Sequence, residues 1–412
     1  MKIVHVSPTY APVLGGAELH VRELSEGLVA HGHDVTVLTA NVRNSWDLSH
    51  GVHGKLPETE YINGVRVVRL DPKGGTLGAW LQWCMQLPGG WRGLKIFFGQ
   101  DGLEMLAAQP CMVQLIPYLV RSEPDIVMAM NWYWPPAYHT YLAGRLKRFV
   151  FVGIPLFHTV EPWCRRKVYE RMLASCSGVI ANTEHEAKFM LAHSARRTVV
   201  AGVGVHPEPF ACRNGAAMRA RYSIGDRLVV GFVGRQQAEK GIIQLVEAMR
   251  IVWKWNPDVY LICAGHRSNE YQDIKVENAI QQLSCSERER FIRIEQFTDE
   301  EKASLYDAFD VFALPSTAES FGLAYLEAWL CKKPVIGARI GSTQCVIDEN
   351  IDGLLVEPMD PKDLAGKIIE LLSDRPKREM MGMKGYSKTL ARYTWRNVID
   401  RVEALYRDLC AA

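Results

Sequence analysis

The chain has 412 residues, of which 48% are hydrophobic and 23% charged, and its net charge is +2. That length exceeds one ordinary doubly wound domain and suits two, and the composition is ordinary for a soluble globular chain. The near-neutral balance offers nucleic acid no bulk attraction; no window approaches the roughly 20 apolar residues of a membrane span; and the ten cysteines are scattered, with no C-x-x-C pair to suggest a disulfide frame or zinc site.

Lys2–Ser7 opens with a buried-strand pattern whose apolar part is too short for a signal sequence, so the expected location is cytoplasmic, with reduced thiols. Pro8, Pro12 and the pair Gly15-Gly16 follow. Ala17–His31 then carries apolar Leu19, Val21, Leu24, Leu28 and Val29, an amphipathic helix that stops at Gly32. Asp34–Thr39 is the next strand. Strand, Gly-rich turn, helix, strand is the first unit of a doubly wound sheet, whose ligands bind at the carboxyl edge. Glu18 reads as a carboxylate serving the helix N-terminus.

Gly64–Leu70 is a short strand, and residues 73–121 are the least regular part. There Trp80, Trp83, Trp91, Phe97 and Phe98 mix with Arg92 and Lys95. Helices with aromatic core positions fit this pattern. An acceptor-binding or membrane-surface element fits it too, since basic residues beside Trp and Phe suit an interface. Pro124–Ala129 is a strand, and Asn131, Trp132, Tyr133 and Trp134 form the loop after it, either a platform for sugar rings or packing. Val150–Ile154 leads to Phe157-His158-Thr159, and Val179–Ala181 leads to Asn182-Thr183-Glu184-His185 and a helix through Leu191.

A second set of elements starts with the strand Arg227–Phe232, the turn Val233–Gly241 and the helix Ile242–Lys254. Arg235 and Lys240 lie in that turn, where their charges add to a helix N-terminus. Val259–Ala264 and Phe291–Ile294 are further strands, and Thr298 with Glu301 marks a helix start. Phe312-Ala313-Leu314 is a strand stopped by Pro315; Gly322 permits close backbone approach before the helix Leu323–Cys331, and Pro334-Val335-Ile336 resumes a strand. Glu319 falls in the loop and Glu327 in the helix. On the residues alone, a helix-capping loop acid and a solvated helix acid explain them as well as a site does. Asp352–Pro358 is a turn and strand, and helices close the chain at Asp360–Leu372 and about Trp395–Cys410.

The run ESFGLAYLEAW followed by KPVI resembles the nucleotide-sugar signature of the family 4 retaining glycosyltransferases. The resemblance covers nearly the whole chain and is weakest over about 73–121. It implies the GT-B fold, an α/β architecture of two Rossmann-like doubly wound domains facing a cleft. The acceptor-side domain would span 1–208, the nucleotide-sugar domain 209–392, and the last helix, about 393–412, would cross back onto the first. Glu319 would lie beside the donor sugar and Glu327 on the ribose hydroxyls. Phe321, Gly322 and Leu323 would approach sugar or phosphate, and Arg235 with Lys240 would clamp the diphosphate. Gly15 and Gly16 would offer backbone N–H groups, His158 would reach the donor sugar, and the nucleobase would lie by Gln296 and Phe297. Catalytic candidates are therefore His158, Glu319, Arg235 and Lys240; acceptor candidates are Asn131, Trp132, Tyr133 and Trp134.

The implied activity is transfer, with retention, of a hexose-type sugar from a nucleoside diphosphate (UDP first, GDP next). The acceptor is a hydroxyl of a glycan, lipid-linked or small molecule, and the leaving phosphate takes the acceptor proton. The sequence has no Asp-x-Asp triplet, so neither metal nor other cofactor is expected. The expected partners are donor and acceptor, with no nucleic acid and peripheral contact at the inner membrane face. Ser342 and Cys345 stand where the family has a Gly and a Glu, which implies an altered contact on the sugar side. Two other classes share these features: an epimerase or hydrolase acting on the donor alone, and a non-catalytic sugar-nucleotide scaffold. The Glu319, Arg235, Lys240 and Glu327 set disfavours the scaffold.

Overall fold

Short β-branched runs bounded by Gly, Pro and polar clusters become parallel strands buried on both faces, since crossover helices cover each side. A computed structural model describes residues 1–13, 15–75, 83, 90–267 and 273–412. Trp80 and the side chains of Trp91, Arg92 and Phe97 lie outside the described residues. Eight strands form the first sheet: β1 (Lys2–Val6), β2 (Asp34–Ala40), β3 (Thr59–Ile62), β4 (Val65–Leu70), β5 (Ile126–Met130), β6 (Val150–Ile154), β7 (Gly178–Ala181) and β8 (Thr198–Val200). Their order is β3-β4-β2-β1-β5-β6-β7-β8, parallel except for the β3–β4 pair. The second sheet holds β9 (Val229–Val233), β10 (Tyr260–Ala264), β11 (Phe291–Ile294), β12 (Val311–Leu314), β13 (Val335–Ala338) and β14 (Gly353–Val356). Its order is β11-β10-β9-β12-β13-β14, parallel throughout.

Both sheets reverse their winding beside their first strand, between β1 and β5 in one and β9 and β12 in the other. At such a switch point the loops leaving adjacent strands run to opposite faces and open a crevice at the carboxyl edge. The residues divide into two compact units, Met1–Gly202 with Val398–Ala412, and Val203–Asn397. The helix Trp395–Ala411 thus carries the chain back to the first unit.

Several elements depart from the sequence reading. Helix Arg375–Arg392 was unmarked, as were the edge strands β3 and β8. Within 73–121, the helices are Gly90–Ala107, kinked at Gly99 (φ 71°), and Leu115–Ser122. There Trp83, Lys95 and Ile96 are exposed, while Phe98 packs on the core. Among the described residues, no helix is long and apolar enough to cross a membrane, and the nine described cysteines are free thiols.

Candidate active site

The loops leaving β9 and β12 are bonded to each other. Thr317 N and Ser316 Oγ both donate to Glu239 O, at 2.9 and 3.1 Å. Gly241 makes the approach possible: its φ is 78°, and a Cβ there would lie 2.3 Å from Pro315 O. This brings Lys240 to Glu319, Nζ donating to Oε1 at 2.6 Å and to Ala318 O at 3.3 Å, with both side chains largely buried. Glu319 is therefore an ion-paired residue of the switch point rather than a helix cap. Arg235, on the same loop as Lys240, is 63% exposed and lies 3.5 Å from Glu239. Ser342, from the loop after β13, donates its hydroxyl to Glu319 O at 2.5 Å, and Cys345 Sγ donates to Gly341 O at 3.3 Å. The departure at Ser342 thus acts on the backbone of the loop carboxylate.

Helix Leu323–Leu330 starts at Gly322, whose φ is 97°, and no side chain caps its first turn. Its N–H groups and positive dipole end are open to an anion. Phe321 is buried edge-on against Tyr393, at 5.4 Å between rings, so only its backbone can face a ligand; Leu323 is half-buried. Glu327 is not a solvated acid: Lys302 Nζ donates to Oε1 at 2.9 Å and Tyr306 hydroxyl to Oε2 at 2.7 Å. These donors sit one turn apart on helix Asp299–Asp307, which Thr298 and Glu301 start as a reciprocal capping box. Burial works against charge on Lys302, but the Glu327 carboxylate outweighs it and raises its pKa. Burial, then Glu327, pushes the Tyr306 phenol well above its ordinary range, so it remains a donor.

Gln296 and Phe297 follow β11, exposed and half-buried respectively. They stand beside a hub the sequence reading missed. Buried Gln236 donates Nε2 to Gly265 O at 2.8 Å and Ile294 O at 3.3 Å, while its Oε1 accepts from Arg293 Nε at 2.5 Å. One amide thereby joins the ends of β9, β10 and β11.

The first unit's switch point is built differently. Gly15 is extended and exposed, and Glu18 folds over it: a Cβ on Gly15 would lie 2.3 Å from Glu18 Oε2. Glu18 accepts from Thr9 Oγ1, and Gly16 begins the helix. After β5, Asn131 adopts φ 57° and is half-buried. Trp132 is a correction. Its ring is buried, its Nε1 donates to Ala129 O at 3.0 Å, and it stacks on Phe151 at 6.3 Å. Gly153 on β6 leaves the slot it fills, since a Cβ there would lie 2.4 Å from the indole. Trp132 is therefore core, and cannot offer a face to a sugar. Tyr133 is exposed and packs edge-on against Trp134 and Trp163, at 5.3 and 5.2 Å. His158 is half-buried after β6, and the neighbouring Thr159 Oγ1 meets His185 Nε2 at 2.8 Å. Glu186, also missed, is buried beside this loop and accepts Phe157 N and Asn182 N.

Comparison with known proteins covers both units. Residues 216–388 match the family model of glycosyl transferases group 1, and residues 15–204 match the glycosyl transferase 4-like domain. A D-inositol 3-phosphate glycosyltransferase of Corynebacterium urealyticum is 31% identical, over 96% of this chain and 91% of that one. An uncharacterized glycosyltransferase of Methanocaldococcus jannaschii is 24% identical, over 99% of this chain and 98% of its own. In three dimensions, the sucrose-phosphate synthase of Thermosynechococcus elongatus aligns with TM-score 0.77 at 24% identity, covering 99% of each chain. Anabaena HepE, crystallised with UDP-glucose, aligns with TM-score 0.72 at 18% identity over 100% of each chain. The two parallel sheets are thus those of the GT-B fold.

Proposed function

The chain belongs to the glycosyl transferases of group 1, and from that premise we propose that it moves a hexose from a UDP-sugar to a hydroxyl acceptor with retention. The observation that carries this reading is the Lys240–Glu319 pair, 2.6 Å apart on the loops that leave the switch-point strands β9 and β12. A departing diphosphate needs preorganised positive charge, which is worth most where it requires no reorganisation during reaction. Lys240, the exposed guanidinium of Arg235 and the uncapped helix start at Gly322 supply it. Glu327, oriented by Lys302 and Tyr306, has acceptor capacity left for the ribose diol. In the proposed reaction the bond from the sugar anomeric carbon to the β-phosphate oxygen breaks. The acceptor oxygen bonds to that carbon on the same face, and its proton passes to the leaving phosphate.

UDP-glucose is the donor to test first, since HepE was crystallised with it, and D-inositol 3-phosphate is the first acceptor, given the name of the corynebacterial relative. The purified protein is incubated with UDP-glucose with and without acceptor, and UDP and glycosylated product are quantified. UDP release that depends on acceptor, with product of matching mass, is expected. Equal release without acceptor indicates a hydrolase, and conversion of the donor to an isomeric UDP-sugar indicates an epimerase. Tight binding of nucleoside diphosphates without turnover of any sugar donor indicates a scaffold.

A further inference from the structure

Glu186 belongs to helix Glu184–Ala192, in its first turn, and is 2% exposed. Its Oε1 accepts Phe157 N and its Oε2 accepts Asn182 N, both at 2.8 Å. Phe157 lies on the segment leaving β6 and Asn182 on the one leaving β7, and these are neighbouring parallel strands. One carboxylate therefore ties two strand ends, and the residue after its first anchor is His158. Burying a carboxylate is costly unless its charge is compensated. Gripping two backbone N–H groups with two separate oxygens is a task an amide cannot do, because one of its two terminal atoms is itself a donor. We propose that Glu186 is a positioning residue for glycosyl transfer: by clasping Phe157 N and Asn182 N it fixes the backbone that aims the His158 imidazole. This rests on the reading that His158 reaches the donor sugar.

The clasp works only when ionised. Burial pushes the Glu186 carboxyl up to about 7, against the pull of the bonds from Asn182 N and Phe157 N. A proton on either oxygen would face an N–H donor, so the acid form keeps one grip and loses the other. The ionisable groups on the segment packed against it are His158, Glu161, Arg165 and Cys164, whose thiol burial pushes up to about 12. Those on its own helix are Glu184, His185 and Lys188, and Asn182-Thr183 contributes none. None of them outweighs burial and the two N–H bonds in setting the Glu186 carboxyl.

The test is a double-mutant cycle on the full chain, with UDP-glucose as donor and kcat and KM followed across pH. Glu186→Gln should lower kcat roughly tenfold above neutrality and leave donor KM within about twofold. The wild type should show an acid limb near pH 7 that this variant abolishes. In a His158→Ala background the same change should cost nothing further, because the two act as one unit. Losses that multiply independently overturn the proposal while leaving His158 in place. Wild-type kcat in His158→Ala alone overturns the His158 reading, and the proposal with it. Should the Gln variant not fold, Glu186→Asp keeps both acceptors on a shorter arm; it should lower kcat with the acid limb retained, and unchanged kcat refutes the idea. Independently of turnover, the backbone amide resonances of Phe157 and Asn182 should show an inflection near pH 7 in the wild type that Glu186→Gln removes. Identical titration curves sink it.

Discussion

Substituting Glu327 with Gln tests the proposed ribose contact. A carboxylate has about four lone-pair positions. Lys302 takes one on Oε1 at 2.9 Å and Tyr306 one on Oε2 at 2.7 Å, which leaves one on each oxygen, the number a vicinal diol requires. In Glu327→Gln one terminus becomes a donor, so one hydroxyl of the diol loses its acceptor. A charge-assisted hydrogen bond is worth about 1.5–3 kcal/mol, so affinity for UDP should fall about tenfold to 150-fold, nearer the lower figure where water refills the site. The variant also strands either the Lys302 ammonium or the buried Tyr306 hydroxyl, at about 1–3 kcal/mol of stability. Affinity alone therefore does not decide. Calorimetry of UDP and its 2′,3′-dideoxy analogue on wild type and variant completes a cycle. The wild type should favour UDP, and the variant should keep a clearly smaller preference, since one hydroxyl still has an acceptor. Tyr306→Phe, which frees a lone pair on Oε2, should keep the preference. Penalties that simply add would show that Glu327 does not touch the ribose.

Arg235→Ala and Lys240→Ala should each lower kcat roughly 10²-fold, as removing a donor to developing charge does. Only Lys240→Ala should also lower the melting temperature, because it leaves the largely buried Glu319 carboxylate unpaired, while Arg235 is exposed; wild-type turnover in either returns that residue to the surface. Transfer should persist in excess EDTA, with Arg235 and Lys240 neutralising the diphosphate, and activity that returns only with magnesium or manganese rejects this. Trp132→Ala should cost about 3–5 kcal/mol in denaturant unfolding, while Tyr133→Ala should change stability by less than about 1 kcal/mol and raise the acceptor KM. The folded Glu186 carboxyl titrates at about 7, against about 4.3 for an exposed Glu. Its contribution to stability is thus present below the unfolded value and lost as pH rises through the folded one. The stability of the wild type relative to Glu186→Gln should accordingly fall between about pH 4.3 and pH 7, and a constant difference contradicts it.

Strands such as β9 and β12 were legible because a parallel strand buried on both faces is a short apolar run with breakers at each end. Helix Arg375–Arg392 escaped because its inward stripe is Arg378, Met381, Gly382, Gly385 and Thr389. A Cβ on Gly382 would lie 1.9 Å from Lys332 O, and one on Gly385 2.0 Å from the Trp329 ring. The helix packs through what its side chains lack, and a search for apolar periodicity looks for what they have. Trp132 misled for the converse reason. Its loop reads as surface, and its slot exists only because a glycine stands on the adjacent strand. Glu319, Gly322 and Glu327 fall within one short run, so their spacing was visible. Lys302, Tyr306, Ser342, Gln236 and Glu186 reach their partners from other strand ends, and only topology brings them there.

The pairings in the second unit also leave bonds to offer without any of them breaking. An ammonium carries three N–H groups. Lys240 commits two, to Glu319 Oε1 and Ala318 O, so one remains for a phosphate oxygen without breaking either bond. Ser342 fixes the same loop from the opposite side through Glu319 O, which holds the pair in place during that exchange. Glu327 is in the complementary state, with two acceptors used and two left. The crevice therefore keeps a surplus donor beside the β9 and β12 loops and surplus acceptors on the helix after them. That polarity suits an anion at one end of a ligand and hydroxyls at the other, as in a nucleoside diphosphate.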